Sequence, residues 1–390
     1  MILTLSKFPS PQQQTAWHSL TKEAPDWTKI LSPTLFKKEL KNVVTNTQQY
    51  LLPLLKHPYT KRFLNNLNLL KNLQPARVNP LVKKYFDMMV ESKSETFSTP
   101  HVYETFANSC RNNTLSVPTY SLSSTKTGRA TILSGPNILL LPKTQRKLLT
   151  SSFSNGSVLS IDFKSIEPRL TYILSRSLDT SLPTPNPLLL CPSGTIATLS
   201  QPENSTKPSL VLPDDLYLFI LTETGLTDLL SRNEVKTIIL KQLYGSSFES
   251  ILSDLSSKTR DPMGVVKEIN RVFGITTLQK TLEGLFPSQA MHNLFGRPME
   301  RPENRLLLNW FIQSTATDLA LERFKVLVDA INADPKLKAL LRPLYVIHDD
   351  LVLDTDNSAT EWLLGAIKTI EQTTLGVFPC SISKFATKAT

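Results

Sequence analysis

The sequence predicts an α+β fold on three observations. Leu, Val and Phe recur at three- and four-residue intervals through residues 1 to about 100, 215 to 285 and 304 to 331, the period of amphipathic helices. Short apolar runs with strand character, "SVLSIDF" at 157–163 and "LYVIHDDLVLD" at 344–354, stand among them and carry carboxylates. Glycine is scarce, at 12 of 390 residues, and neither GxGxxG nor GxxxxGK[ST] occurs, so no Rossmann or P-loop nucleotide site is indicated.

The first helical stretch includes "WTKILSPTLFKKELKNVVTNTQQYLLPLLK" and "TKRFLNNLNLLKNL", with Lys and Arg on much of the opposite faces, where they serve solvation or contact with phosphates. A Pro- and Ser-rich interval, "TSLPTPNPLLLCPSGTIATLSQPENSTKPSLVLP", interrupts helical text on both sides and reads as a long surface insertion. The helix over 304–331 has an expected break near Gln313. A helix over about 359–373 and a short strand in "GVFPCSISKF" close the chain. No internal repeat is visible, which argues against a solenoid.

Lys and Arg number 43 against 33 Asp and Glu, a formal charge of +10 with a pI near 9.4, which suits a polyanionic partner. Charge alone does not separate nucleic acid from an anionic membrane. No run approaches about 18 uninterrupted apolar residues and no secretory leader is recognisable, so a soluble, intracellular protein with no membrane partner is expected. Cys110, Cys191 and Cys380 are far apart and odd in number, against a disulfide framework or thiolate zinc site, and His18, His57, His101, His292 and His348 show no ligand spacing. A hard, oxygen-bound metal is the remaining expectation.

Asp349 and Asp350 sit side by side in a run that otherwise reads as buried strand. Two such carboxylates either form a polar turn between strands or face a divalent cation, which would need a third carboxylate from elsewhere. Asp162, at the end of "SVLSIDF", is the candidate. "RNEVKTIILKQLYG" then places Arg232, Lys236, Leu240 and Tyr244 at four-residue intervals, one helix face about 18 Å long. Two cations, an apolar residue and an aromatic on one face suit a triphosphate with base and sugar beyond it.

Together these stretches resemble the family A DNA polymerases, the DNA polymerase I type. The family's DYSQIELR motif is met by Asp162-Phe163-Lys164-Ser165-Ile166-Glu167-Pro168-Arg169. RxxxKxxxFGxxYG is met by Arg232, Lys236, Leu240, Tyr244 and Gly245, and VHDE by Ile347-His348-Asp349-Asp350. "TKTGRATILSGPNILLLP" is similar to TGRLSS…PNLQNIP, and "RLLLNWFIQSTATD" to the R…N…QGTAAD segment. The resemblance covers residues 120 to 390.

The resemblance implies a compact right-hand polymerase fold, with helical thumb, antiparallel-sheet palm and helical fingers. A thumb-like region is expected over 1–120, palm over 121–174 and 291–390, the Pro/Ser-rich insertion over 175–213 and fingers over 214–290. It implies two Mg²⁺ ions, with Mn²⁺ as a substitute, held by Asp162, Asp349 and the Phe163 carbonyl, with Asp350 in place of the family's accessory Glu. Arg232 and Lys236 would bind the dNTP triphosphate, and Lys236 would protonate the leaving pyrophosphate. Tyr244 would stack beside a base and Glu167 would exclude a 2′-hydroxyl, with Leu240 beside the sugar. Arg129, Asn137, Arg169, Arg305, Asn309, Gln313 and His348 would contact a primed DNA template.

The chain departs from the family at Leu240, where Phe or Tyr is usual. It also departs at Lys241 for Gly, Pro168 for Leu, Leu139 for Gln, and in a TGR-to-Asn interval one residue longer. No 3′–5′ exonuclease can be placed, so synthesis without proofreading is expected, by a monomer, in a host cytoplasm if the owner is phage-like. A two-metal nuclease would leave the Arg-Lys-Tyr face unexplained. A single-subunit RNA polymerase shares that helix and an HD pair, but Glu167 argues against it. A catalytically inactive, polymerase-derived nucleic-acid-binding protein is countered by the presence of both Asp162 and Asp349.

Overall fold

The computed structural model describes residues 57–81, most of 105–178, 213–287 and 290–385, and a few isolated positions elsewhere. The thumb-like expectation for the first 56 residues and the insertion over 179–212 fall outside these apart from isolated positions, as does Cys191. The chain divides into two compact units, residues 1–63 and Leu64–Thr390. In the first, the described residues include the Tyr59–Phe63 ring pair, centroids 6.3 Å apart.

The second unit begins within helix α1, Pro58–Lys71, and continues into strand β1, Ala76–Val78. This strand corrects the reading of residues 1 to about 100 as helical. Pro75 and Pro80 flank the "ARV" triplet, and proline interrupts helical hydrogen bonding, so the segment is extended with alternating burial. With β2 (Cys110–Arg111), β3 (Thr114–Leu115) and β6 (Leu149–Thr150), β1 makes a small antiparallel sheet ordered β2-β3-β1-β6. Between β3 and β6, β4 (Thr119–Ser121) and β5 (Thr131–Ser134) form a hairpin enclosing the Thr127-Gly128-Arg129 turn.

The main sheet is antiparallel, in the order β10-β11-β7-β14. Its strands are β7 (Gly156–Phe163), β10 (Leu341–Ile347), β11 (Asp350–Asp356) and β14 (Cys380–Lys384). Val158 of β7, Val352 of β11, and Tyr345 and Ile347 of β10 belong to one apolar cluster with Ala76, Val78, Phe106, Leu148 and Leu149. Side chains alternate across a sheet, so this is also the face of Ser160, Asp162 and Asp350. The opposite face carries Ile161 and Phe163, and the Phe163 ring lies 5.4 Å from that of Phe324. On the outer edge, β10 leaves Val346 without a strand partner on one side. The Tyr120 hydroxyl both donates to Val346 O (3.1 Å) and accepts from Val346 N (3.2 Å), satisfying both groups.

After β7, helix α2 (Ile166–Ser177) starts from Ser165 in the left-handed region, φ 54°. Five helices follow the insertion: α3 (Leu216–Glu223), α4 (Arg232–Leu243), α5 (Phe248–Ser256), α6 (Pro262–Phe273) and α7 (Ile275–Leu285). Each of α3 to α6 has a side-chain N-cap: Asp215, Ser231, Ser247 and Asp261. The short hairpin β8 (Ala290–His292) and β9 (Pro298–Glu300) leads to α8, Asn304–Ala333.

Helix α8 is unbroken, correcting the expected interruption at Gln313. The hydroxyls of Ser314, Thr315 and Thr317 donate back to carbonyls at Phe311, Phe311 and Gln313, so the polar "QSTATD" run is buried without leaving the helix. Helix α9 (Pro335–Leu340) precedes β10, and α10 (Thr360–Glu371) follows β11. The closing "GVFPCSISKF" contains two strands rather than one: β13 (Gly376–Val377), paired with β12 (Gln372–Thr373), and β14. Pro379, which has no N–H, separates them.

Candidate active site

The β10–β11 connection is a two-residue turn, because Ile347 pairs with Asp350. His348 and Asp349 form it, with His348 at φ 58°. The polar-turn reading of "HDD" is therefore right for its first two residues, while Asp350 begins a strand. Asp350 and Asp162 are direct cross-strand partners, and Phe163 N donates to Asp349 O at 3.4 Å. The three aspartates thus gather where β7 ends and β11 begins.

Ser160 Oγ donates to Asp350 Oδ2 at 2.7 Å, while Asp350 Oδ1 is buried without a hydrogen-bond partner. Loss of solvent pushes the Asp350 carboxyl up to about 6, with the Asp349 charge adding to the effect. Asp349 is also raised, first by desolvation and then by the negative charge of Glu167. An orphaned carboxylate oxygen among acids of raised pKa suits a cation in donor type. Among the described residues, no group of three or more His, Cys, Asp or Glu could hold a metal ion. A cation here would be a hard one held by one or two carboxylates, with water and phosphate oxygens completing its shell, as is usual for Mg²⁺.

A second cluster joins four segments. Glu167, in the first turn of α2, is 8% exposed. Its Oε1 accepts from Arg129 Nη2 at 2.7 Å and its Oε2 from the Tyr244 hydroxyl at 2.6 Å. Burial and the Glu167 charge raise the Tyr244 pKa. With the Gln313 amide oriented to satisfy both neighbours, its nitrogen donates to Thr127 Oγ1 (2.6 Å) and its oxygen accepts from both Arg129 Nη atoms (3.0 Å). The Thr127–Arg129 turn, α2, the end of α4 and α8 are thereby linked.

Two glycines allow this approach. Gly128 has φ +75°, and a Cβ there would lie 2.1 Å from Arg297 Nη1. Gly245, after Tyr244, has φ +71°, and its Cβ would lie 2.6 Å from Arg305 O. Arg297 makes a bidentate ion pair with Asp318 (2.7 and 3.0 Å) and donates to Leu122 O. Asn66 and Asn293 also donate to Asp318, and all four side chains are buried. No motif drew attention to Arg297, the last residue of "FGR" at 295–297, whose partner Asp318 ends "QSTATD".

Arg232 and Lys236 are exposed on α4, with Leu240 half-buried. Arg232 Nε donates to Asp215 Oδ2 at 2.6 Å. Arg305 is exposed and ion-paired with Glu303, and Asn309 is half-buried one turn further along α8. His348 has a lowered pKa through desolvation, then through the cations of Arg129 and Arg146. Two predicted contact residues are occupied within the fold. Asn137 caps its own short helix by accepting from Leu139 N at 3.1 Å. Arg169 is 2% exposed and donates to the Lys164 and Asp214 carbonyls. Arg146, not singled out in the sequence, interacts with the charge of Asp350 while donating to Leu141 O.

Sequence comparison finds no matching protein family and no matching curated protein. A solved structure does match in fold: the POL domain of Pol1 from M. smegmatis, in complex with DNA primer-template and dNTP. The TM-score is 0.56 at 16% identity, over 74% of this chain and 51% of that one. The fold is polymerase-like. The present chain spans about half the length of that neighbour. Among the described residues, no helix is long and apolar enough to cross a membrane.

Proposed function

We propose that the protein is a DNA-directed DNA polymerase of the family A type, adding dNTPs to a primer 3′-hydroxyl by nucleotidyl transfer. The observation that carries the reading is the cross-strand Asp162–Asp350 pair, with Asp349 at the same sheet end and the Arg129–Glu167–Tyr244 cluster coupled to it electrostatically. A nuclease needs the carboxylates but not the remainder.

In this reading the main sheet, with the small sheet that shares its apolar cluster, is the palm, and α3 to α7 form the fingers. Asp162, Asp349 and the Phe163 carbonyl hold the metal, with Asp350 accessory to them. Bound Mg²⁺ supplies an activated primer hydroxyl and charge neutralisation at the α-phosphate. Arg232 and Lys236 bind the triphosphate, and the Lys236 Nζ gives a proton to the departing pyrophosphate. Tyr244 offers its exposed ring to a base, and Glu167, fixed by two hydrogen bonds, stands against C2′ of the sugar. Leu240 lies beside it. Arg129 and Gln313 act as a linked pair toward the primer terminus, while Arg305, Asn309 and His348 meet primer or template. Arg169 and Asn137 support these surfaces from within.

The chain works on primed DNA without excising mismatched ends. Primer extension with Mg²⁺, comparing dNTPs with rNTPs, tests the reading. Extension by dNTPs supports it, rNTP preference favours an RNA polymerase, and no extension with retained DNA binding favours an inactive descendant.

A further inference from the structure

Helix α3 brings two side chains from its N-terminus beneath the cationic face of α4. Asp215 is its N-cap, accepting through Oδ1 from Tyr217 N and Leu218 N, both at 3.1 Å. Its other oxygen, Oδ2, accepts from Arg232 Nε at 2.6 Å. Burial alone would push this carboxyl up, but the Arg232 and backbone hydrogen bonds outweigh it and leave the pKa below its usual value. Tyr217, two residues on, is 2% exposed. Its ring has Arg232 Cζ at 5.3 Å and Lys236 Nζ at 5.9 Å from its centroid, so one aromatic ring serves two cations.

Arg232 and Lys236 are four residues apart on one helix, where like charges repel and would splay. The negative face of the ring offsets that repulsion and draws both side chains to the same side. Asp215 grips the guanidinium by its Nε edge and Asn233 Oδ1 accepts from Nη1 at 3.2 Å. Among the described residues, Nη2 makes no hydrogen bond, and Lys236 makes no ion pair. Both cations are thus held in place with donors still open to an anion. Resting on the proposed triphosphate role of α4, we propose that Asp215 and Tyr217 are positioning residues that dock Arg232 and Lys236 side by side for the nucleotide's phosphates. Rotamer freedom that both long side chains would otherwise lose on binding is removed beforehand.

Single-nucleotide incorporation on primed DNA with Mg²⁺ tests this through KM and kcat taken separately. Tyr217→Leu should raise the dNTP KM at least fivefold and lower kcat as well, because Lys236 is also the proposed proton donor, while Tyr217→Phe, which keeps the ring, should stay within twofold of wild type in both. Asp215→Asn keeps the helix cap through its Oδ1 and should raise KM as well; it carries the test if Tyr217→Leu fails to fold. A fall in KM for Asp215→Asn would mean that the carboxylate competes with phosphate, overturning its positioning role. An unchanged KM in folded Tyr217→Leu would overturn the role of the ring. Calorimetric binding of tripolyphosphate to the same proteins provides the independent readout. If wild type binds it and the variants weaken binding while no primer is extended, the docking inference stands and the polymerase reading falls. If wild type extends primers and both Asp215→Asn and Tyr217→Leu leave KM and tripolyphosphate binding unchanged, the docking inference alone falls.

Discussion

Glu167 is the residue at which stability and substrate choice can be separated by two substitutions. Its carboxylate receives the Arg129 ion pair and the Tyr244 hydroxyl, and hydrogen bonds to charged groups contribute about 1.5–3 kcal/mol each. Arg129 keeps 33% of its side chain exposed and can recover water, so losing both bonds should cost about 2–4 kcal/mol rather than their full sum. Glu167→Gln preserves the bulk and the acceptor for Tyr244 but discharges the ion pair; Glu167→Ala removes everything. If the side chain excludes a 2′-hydroxyl by occupying space, Gln should lower stability while leaving the preference for dNTP over rNTP intact. Ala should lower both. A steric or unpaired-polar penalty of about 1–3 kcal/mol corresponds to about 5- to 150-fold discrimination. Wild type should therefore prefer dNTPs by at least about fivefold, and Glu167→Ala should narrow the ratio mainly by improving rNTP use. Urea unfolding measures the stability terms, and single-nucleotide incorporation gives kcat/KM for each substrate. An unchanged ratio in Glu167→Ala would refute the steric role, and equal loss of discrimination in Gln and Ala would refute the argument from bulk.

Asp162→Ala and Asp349→Ala should abolish Mg²⁺-dependent extension while primer-template binding stays within a few-fold; wild-type rates in Asp349→Ala would remove it from the metal set. Asp350→Ala should be milder, although it relieves a carboxyl raised to about 6 and frees Ser160. Arg297→Ala leaves Asp318 buried without its ion-pair partner and should cost about 3–5 kcal/mol, read by urea unfolding; a loss below 1 kcal/mol would contradict the buried-pair argument. Glu234, at the third position of α4, has its pKa lowered to about 2 by Lys258 and by the backbone and hydroxyl of Ser231. Its contribution is fully present above the unfolded value and disappears as pH falls through about 2. Glu234→Gln should flatten this acid limb of the stability profile, and parallel profiles in the two proteins would exclude the assignment.

The carboxylate strands and the cationic helix were legible because each is short-range. Alternation marks β7 and a short apolar run marks β11, while Ser231 with Glu234 three residues later makes the capping box that starts α4. What escaped depends on distant pairing. The need for glycine at 128 follows from Arg297, and Arg297 is held by Asn66, Asn293 and Asp318, which no local pattern links. Asp215 stands just past the Pro/Ser-rich insertion with no motif to mark it, though it grips Arg232 across the intervening α3 and turn. Arg169 and Asn137 fit motif positions, yet their side chains satisfy nearby backbone groups, a choice visible only once the carbonyls of Lys164 and Asp214 and the amide of Leu139 are located. The break expected at Gln313 failed because buried hydroxyls can be satisfied inside a helix.

The placement of β7 between β11 and β14 also governs how the protein comes into being. During synthesis from the N-terminus, the strand bearing Asp162 leaves the ribosome with neither neighbour made. Its partners at Asp350 and Ser381 arrive only about 190 and 220 residues later. Closing so long a loop before any ladder bond rewards it makes assembly slow, and in the interval β7 presents two unpaired edges. Asp162 and Asp350 are consequently late to meet. A nascent or truncated chain lacking residues beyond 349 would carry α3 to α7 without a completed main sheet, its unpaired β7 exposed to strand-mediated aggregation.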